Sequence, residues 1–279
     1  RPAVNGDGGT VDVDDNGAAL IRMADAAPAE VLAACRALAP HVGPARLLVR
    51  EAEAGYAVHL GPGHRIEPID TSWREYLIRH GATEANLATP PRLQGRRHNP
   101  PLARLGIRQA EATRGFLAIR PIEFCYTSPL LRAAQTAAIV SAPHRLTPAP
   151  LEALTECEVG QWEGLDWQAI RYLDAENYQR FQSNPAKFGY PGGESFADVY
   201  SRVQPAIDGL LLEHQGQSVL VVAHHIVNRT YLAGLLGMGP ELAKQVVLDN
   251  CGISVVVREG DKTTVSTLNA AFHLQGVAA

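Results

Sequence analysis

The sequence predicts an α/β protein, a three-layer α/β/α sandwich with a mostly parallel sheet, preceded by a small α+β segment. Two observations predict the sandwich. From residue 73 onward, apolar strand-like segments alternate with helical segments. One of them, SVLVVAHH at 218–225, is continuously apolar, as strands are when both faces of a parallel sheet are covered. Residues 1–72 offer too little apolar surface for a large core, so we expect two domains, 1–72 and 73–279.

The N-terminal extension, residues 1–72, is predicted to be a β-α-β-β segment, and its role stays open. Residues 1–17 are rich in Gly, Asp and Asn and are expected to form a mobile tail. DVDDNG at 12–17 imitates the start of a calcium loop, but Met23 stands where such a loop needs a bidentate Glu, so we interpret it as a polar turn. The predicted elements are strands at 18–23, 45–52, 55–61 and 64–70 and a helix at 27–40.

The larger part, residues 73–279, begins with the predicted strand WREYLIRH at 73–80. IEFCYTS at 122–128 is the second predicted strand. The segment PLLRAAQTAAIVSA follows it as a helix, with Pro129 in the first turn. The remaining predicted elements are a long helix at 194–214 kinked at Pro205, the strand at 218–225, a helix at 226–237 and a closing hairpin of 252–260 with 263–269.

Composition and charge exclude several classes of protein. The formal net charge of −4 argues against a general nucleic-acid surface. No apolar run approaches the roughly 18 residues that span a bilayer. The cysteines are far apart without a CxxC pair, which favours free thiols in a reducing compartment. We therefore expect a cytoplasmic protein without nucleic-acid or membrane partners, and a homodimer is an open alternative to a monomer.

Ionisable side chains gather at the carboxyl ends of the predicted strands, where α/β sheets bind ligands. The first strand ends in Arg79 and His80, Arg132 lies just after the second, and the third ends in His224 and His225. Cations collect in one cleft when an anion neutralises them, and guanidinium groups match phosphate oxygens in pairs. Neither a metal-binding HExxH nor a GxxxxGK[ST] nucleotide loop accompanies them. A phosphate pocket of this kind suggests histidine itself as the nucleophile.

Four segments, in this order, resemble the histidine phosphatase superfamily, in the branch of cofactor-dependent phosphoglycerate mutases and small-molecule phosphatases. LIRHGATEAN is similar to the signature R-H-G-x-T-x-x-N, and YTSPLLRAAQTA to the second motif, which carries a phosphate-binding arginine. LTECEVGQWEG resembles the acid-donor segment, and VVAHH the strand that supplies the second histidine. The resemblance covers about residues 73–279. It implies a metal-independent phosphoric monoester hydrolase that needs no cofactor and acts on a small phosphorylated metabolite.

The resemblance also implies roles, in a two-step transfer through a phosphohistidine. His80 is implied as the nucleophile, Glu156 as the proton donor to the leaving oxygen, and His224 as a catalytic partner that stabilises the transferring group. Glu158 is the nearest alternative to Glu156. The other matched positions are the phosphate-binding residues Arg79, Arg132 and Asn86 and the candidate substrate-binding residues Gln94, Gly95 and His225.

Three departures from the pattern leave the substrate open. His225 stands where the family usually has Gly, so it either narrows the pocket, contacts substrate, or packs as a structural residue. QGRRHNPPL at 94–102 is one residue longer than usual and has Asn99 where Asp is expected. Residues 1–72 have no counterpart. A basic cluster lies in and next to 94–102, at Arg92, Arg96, Arg97 and His98. The cluster either binds a second anionic group of the substrate or is a solvated basic loop.

The compact segment ECEVGQWEG favours a phosphatase over a mutase. The alternatives are a phosphoglycerate mutase-type phosphotransferase, a non-catalytic phospho-ligand binding module and a metal-dependent hydrolase. Glu163, in the same segment, is expected to brace the loop. Aromatic residues between the motifs either cap the pocket or belong to the core, namely Tyr178, Phe181, Phe188 and Tyr190.

Overall fold

The computed structural model describes residues 10–13, 19–22, 46–50, 55–59, 65–68, 73–214, 216–259 and 262–277. The chain divides into two compact units, Arg1–Thr71 and Ser72–Ala279. In the described part of the chain, no helix is long and apolar enough to cross a membrane.

The first unit contains a five-stranded sheet whose strands are neighbours in sequence order. Every neighbouring pair is antiparallel except β2 and β3, which are parallel. Four strands match predicted ones. Strand β1 was not predicted and pairs with β2 along its whole length, and the mobility of residues 1–17 stays a prediction. The helix predicted at 27–40 and most of the calcium-like segment lie outside the described residues. The strands are β1 (Thr10–Val13), β2 (Ala19–Arg22), β3 (Arg46–Arg50), β4 (Gly55–His59) and β5 (Arg65–Pro68).

The second unit is built on a six-stranded sheet. Its strands are β6 (Trp73–Arg79), β7 (Phe124–Thr127), β8 (Ala149–Pro150), β9 (Ser218–Ala223), β10 (Ile253–Glu259) and β11 (Lys262–Ala270). Their order across the sheet is β11-β10-β6-β9-β7-β8. Strands β6, β9, β7 and β8 are parallel, whereas β10 runs antiparallel to both β6 and β11. The predicted mostly parallel sheet and its closing hairpin are therefore confirmed.

Helices cover both faces of this sheet, which confirms the predicted α/β/α layers. They are α1 (Glu84–Leu87), α2 (Arg104–Leu117), α3 (Leu131–Ser141), α4 (Trp167–Leu173), α5 (Ala175–Ser183), α6 (Pro185–Phe188), α7 (Phe196–Glu213) and α8 (His225–Leu235). Successive strand residues point to opposite faces. Leu77 and Val221 therefore join the core beneath α7 and α8. Ile78 and Val222 pack on the other face, beneath α2 and α3.

Several element boundaries differ from the predicted ones. Strand β9 ends at Ala223, so His224 is the N-cap of α8 and His225 its first residue. Pro129 precedes α3 instead of lying in its first turn, because the helix begins at Leu131. The differences shorten the strands and move both histidines to the start of a helix.

Helix α2 has no counterpart in the sequence prediction. Its buried positions are Gly106, Ala110, Thr113 and Leu117, whose i, i+4, i+7, i+11 spacing is helical. Three of the four side chains are small, so the sequence shows only a weak apolar stripe. Small residues are needed because the helix lies against the backbone that follows β6: Ala103 N–H donates to the Ala82 carbonyl at 2.9 Å.

Gly106→Ala is expected to lower the free energy of unfolding by at least about 2 kcal/mol, because overpacking displaces backbone. A Cβ at this position would overlap the Ala82 carbonyl oxygen. Gly115→Ala is the matched control in the same helix, since nothing lies within 4 Å of its added Cβ. That change should be neutral or stabilising by up to about 1 kcal/mol. Urea unfolding of the three proteins measures both effects, and equal stabilities would contradict the close approach.

Candidate active site

Strand β6 carries Arg79 and His80 to the carboxyl edge of the sheet, where only 3% of His80 is exposed. Its Nδ1 lies 2.7 Å from the Gly81 carbonyl oxygen. Because that oxygen can only accept, the ring proton is on Nδ1 and Nε2 keeps a free lone pair. Burial, followed by the charges of Arg132 and Arg79, lowers the pKa of His80 well below its usual value. The imidazole is therefore neutral near pH 7, as a nucleophile requires.

His224 stands beside His80, with ring centroids 5.1 Å apart at an interplanar angle of 60°. Its Nε2 lies 2.7 Å from the Ser128 hydroxyl. Burial, and then Arg132, lower the pKa of His224 well below its usual value, so it is also neutral. Ser128 was not predicted as a site residue. The only sequence signal for it is its place directly after strand β7, at the same sheet edge.

Two arginines, one buried and one half-buried, adjoin the histidines. Arg132 is fully buried and donates to the carbonyl oxygens of Gly95 at 2.9 Å and His98 at 3.4 Å. Arg79 donates to the Leu248 carbonyl oxygen at 2.7 Å. Among the described residues neither guanidinium has a salt bridge, and the Nε of each lacks a partner. Burial lowers the pKa of Arg79 only to about 10, so it remains charged and able to bind an anion.

Glu156 is 4% exposed and lies between the second motif and α8. Its Oε1 accepts from the Cys157 N–H at 2.8 Å, and its Oε2 from the Ile226 N–H at 3.4 Å, in the first turn of α8. Its charge raises the pKa values of Arg79 and Arg132, which places it within electrostatic range of both. The structure therefore brings this carboxyl close to the two arginines and to the first turn of the helix that follows His224.

The alternative acid, Glu158, is occupied by other contacts. Its Oε1 accepts from the Gly160 N–H at 3.1 Å and lies 3.3 Å from Arg97 Nε. Arg97 is 66% exposed, so this ion pair is at the surface. The geometry therefore favours Glu156 over Glu158 as a proton donor.

Asn86 and Gln94 meet at the hydroxyl of Thr83, which is 3.0 Å from Asn86 Oδ1 and 2.9 Å from Gln94 Oε1. Asn86 Oδ1 also accepts the Thr83 N–H at 3.0 Å and so caps the short helix α1. This leaves the Asn86 amide NH₂ as the group that can donate to a phosphate. Gln94, in the loop that follows α1, contacts the same Thr83 hydroxyl.

Glu163 braces the loop that holds Arg132, as expected. Its Oε1 accepts the N–H groups of Gly95 at 3.3 Å and His98 at 2.6 Å. The carbonyl oxygens of these same two residues bind the Arg132 guanidinium. Gly95 thus serves Arg132 through its backbone.

The residue at the unusual position in this loop, Asn99, has a structural role. Its Oδ1 accepts the Leu131 N–H at 2.7 Å, at the first residue of α3. An amide oxygen fills this capping role as a carboxylate oxygen would. The change from Asp to Asn therefore keeps the start of α3, and with it Arg132, in place.

The basic cluster contains fewer free cations than its sequence suggests. Arg96 pairs with Glu194 at 2.7 Å, and Arg97 with Glu158. His225 begins α8, where burial, followed by the charges of Arg79 and Arg229, lowers its pKa well below the usual value. Its contact with substrate stays a prediction. Of the aromatic residues, Phe181 and Tyr190 are buried in the core, Tyr178 packs against it and Phe188 is half-exposed.

Comparison with known proteins agrees with this geometry. The sequence model of a family described as "Histidine phosphatase superfamily (branch 1)" matches residues 76–271. The 2-carboxy-D-arabinitol-1-phosphatase of Triticum aestivum is 32% identical over 68% of this chain and 38% of its own length. Phosphoserine phosphatase 1 of Hydrogenobacter thermophilus is 29% identical over 71% of this chain and 92% of its own. The chain thus spans about two fifths of the plant relatives that it matches.

Solved structures show the same fold. Bacillus stearothermophilus YhfR superposes with a TM-score of 0.67 at 27% identity, covering 72% of this chain and 99% of the other. A phosphoserine phosphatase of Entamoeba histolytica, solved with 3-phosphoglyceric acid, gives 0.64 at 26% identity, over 72% and 99%. The matched region contains all four motif segments and the residues that they bring together. The chain belongs to the histidine phosphatase superfamily, branch 1.

Proposed function

We propose that the protein hydrolyses a small phosphate monoester through a covalent phosphohistidine on His80. The observation that carries this proposal is a neutral imidazole whose Nε2 lone pair is free, between the buried guanidinium of Arg132 and the half-buried one of Arg79, neither of which has a salt bridge among the described residues. Such a site attracts an anion and holds a nucleophile against it. Cleavage without a metal is part of the proposal.

In the first step, His80 Nε2 attacks phosphorus in line with the ester oxygen, and the bond from phosphorus to that oxygen breaks. Glu156 gives its proton to the leaving oxygen. Charge on the equatorial oxygens is stabilised by Arg79 and Arg132. Water then attacks phosphorus and gives its proton to Glu156, which restores the acid. The bond between phosphorus and Nε2 breaks, His80 regains its lone pair, and phosphate is released.

His224 has a tautomer suited to binding the transferring group. Ser128 Oγ accepts the Leu130 N–H at 3.2 Å, so its hydroxyl proton is free to be donated to His224 Nε2. The proton of the neutral ring then resides on Nδ1, an atom that is buried without a partner among the described residues. A phosphoryl oxygen is the partner that we propose for it.

The relatives' names support a small carboxylated substrate. The wheat protein and the Hydrogenobacter protein are named as phosphatases of 2-carboxy-D-arabinitol 1-phosphate and phosphoserine, each a phosphate ester with a carboxyl group. We propose a phosphorylated metabolite of this size for the present chain.

The test is a phosphate-release screen over phosphorylated metabolites, run beside an interconversion assay with 3-phosphoglycerate and repeated with chelator. Release without interconversion, unchanged by chelator, is the expected result. Interconversion without release would make the protein a mutase. Binding of inorganic phosphate without turnover would make it a binding module, and loss of activity in chelator would require a metal.

Glu156→Gln is expected to lower kcat/KM, which reports only the first transfer step, about 10²-fold for an alkyl phosphate such as glycerol 2-phosphate, but less than about tenfold for 4-nitrophenyl phosphate. The alkoxide needs a proton as it leaves, whereas nitrophenolate does not. Steady-state assays with both esters measure the difference. The matched control is Glu158→Gln, which removes a surface carboxylate two residues away. Equal losses for both esters would contradict the proton-donor role.

A further inference from the structure

One carboxylate outside the catalytic set, Glu194, joins three segments around the acid. It lies just before α7, and its Oε2 accepts from the Glu158 N–H at 2.8 Å and from Arg96 Nη2 at 2.7 Å. Its Oε1 accepts from Arg202 Nε, on α7, at 2.8 Å. Its own N–H donates to the Glu158 carbonyl at 2.8 Å. The side chain and the backbone of Glu194 therefore both bind the backbone of Glu158, two residues after the catalytic acid.

Both arginines that bind Glu194 also reach the backbone of the catalytic acid. Arg96 Nε lies 3.3 Å, and Arg202 Nη2 3.4 Å, from the carbonyl oxygen of Glu156. Arg202 Nη1 donates to the Ala153 carbonyl at 2.6 Å. The backbone of residues 153–158 is thus held by Arg96 and Arg202, and Glu194 holds both of these arginines in place.

We propose that Glu194, Arg202 and Arg96, here called the Glu194 clamp, are positioning residues that set the place of the Glu156 carboxyl group against the leaving oxygen. This inference rests on the proposed function. Among the described residues, the Glu156 side chain is held by two backbone N–H groups, one of them from its own neighbour, so its position follows the backbone. A displacement of about 1 Å at such a group costs about 10²-fold in rate.

The clamp also connects the acid to the phosphate-binding loop. Arg96 lies between Gly95 and His98, whose carbonyl oxygens bind Arg132. A single carboxylate therefore fixes the distance between the group that protonates the leaving oxygen and the guanidinium that binds the phosphoryl group. Neither of these two functional groups contacts Glu194 directly.

Glu194 remains ionised while it does this. Burial disfavours its charge, but the hydrogen bond from Arg202, the Glu158 N–H and the charge of Arg96 outweigh burial and hold its pKa below the usual value. A carboxylate in this state does not exchange protons during turnover. Glu194 therefore contributes by positioning other groups and not by transferring a proton.

The first test is a leaving-group comparison in the full chain. Glu194→Gln and Arg202→Lys are each expected to lower kcat/KM about tenfold for glycerol 2-phosphate and less than about threefold for 4-nitrophenyl phosphate, because in the first step only the alkyl ester depends on an aligned acid. Inhibition by inorganic phosphate should stay within about twofold, since the phosphate ligands are kept. Arg97→Ala, which removes the neighbouring surface ion pair, should match wild type. Equal losses with both esters, or an equal loss in Arg97→Ala, would overturn the proposal.

The second test does not depend on turnover. In protein labelled with carboxyl-¹³C glutamate, the Glu156 resonance is assigned by its loss in Glu156→Gln. It is expected to shift or broaden in Glu194→Gln and Arg202→Lys and to stay in place in Arg97→Ala. If the wild type hydrolyses no ester, the proposed function is wrong, but the Glu156 resonance still tests whether the Glu194 clamp positions Glu156. A Glu156 resonance that is unchanged in both clamp variants would refute it.

Discussion

His80→Ala is expected to lower kcat for every phosphate monoester by at least about 10⁴-fold, as removal of an attacking nucleophile does in other enzymes. The variant keeps both arginines and His224, so it should still bind phosphate. Among the described residues its ring has one hydrogen-bond partner, a backbone carbonyl, and one ring contact, the neighbouring imidazole. The fold should therefore survive, which circular dichroism and thermal unfolding can check beside the phosphate-release assay.

A matched control separates loss of the nucleophile from loss of any hydrogen-bonded imidazole. His273 lies after β11 and bonds the Thr113 hydroxyl at 3.0 Å, on helix α2. His273→Ala should keep its activity. Rapid quenching with ³²P-labelled substrate should trap a labelled protein in wild type and in His273→Ala but not in His80→Ala. If His80→Ala kept a tenth of wild-type activity, the nucleophile would be another group.

Glu75→Gln is expected to stabilise the second unit above pH 8 by roughly 5 kcal/mol, at about 1.4 kcal/mol per unit of pKa shift. Glu75 is fully buried in the middle of β6. Burial raises its pKa to about 8; the Tyr231 hydroxyl lowers it in part, and Asp208 raises it. Neither carboxyl oxygen has a hydrogen-bond partner of normal geometry among the described residues. Ionising this group inside the core is therefore costly.

The sign follows from proton binding. Between pH 4.5, the usual value, and about 8, the folded protein keeps a proton on Glu75 that the unfolded chain has lost. The free energy of unfolding therefore falls as pH rises through this interval. Glutamine removes the dependence, so the variant should match wild type near pH 4.5 and exceed it at pH 8.5.

Urea unfolding at these two pH values measures the effect. Tryptophan fluorescence reports on the second unit, because the three tryptophans of the chain are residues 73, 162 and 167. Glu111→Gln, on the exposed side of α2, is the control and should not alter the pH dependence. A stability difference between wild type and Glu75→Gln that is the same at both pH values would show that Glu75 is not the titrating group.

The sequence was sufficient where local pattern and topology decide the outcome. The apolar strands β6, β7 and β9 were predicted, and parallel strands bring their carboxyl ends together, so His80, Arg132 and His224 meet as expected. The sequence did not reveal α2, whose buried face is made of small residues. Nor did it reveal β8, which has two residues and ends in a proline.

Contacts between distant segments could not be predicted in the same way. The hydrogen bond between Ser128 and His224 joins residues 96 positions apart, and the Arg96 pair with Glu194 joins residues 98 apart. No short-range pattern in the sequence predicts either contact. The basic loop looked like free charge because its carboxylate partners lie elsewhere in the chain.

The bond between His80 Nδ1 and the Gly81 carbonyl has a consequence for the chemistry of the adduct. An imidazole can carry phosphorus on either nitrogen, giving two isomers, pros and tele. Here the nitrogen nearer the main chain is occupied by its proton and a peptide oxygen. A phosphoryl group accepted by this ring would therefore be carried on the remote nitrogen, and a single peptide carbonyl would decide the regiochemistry in favour of the tele isomer.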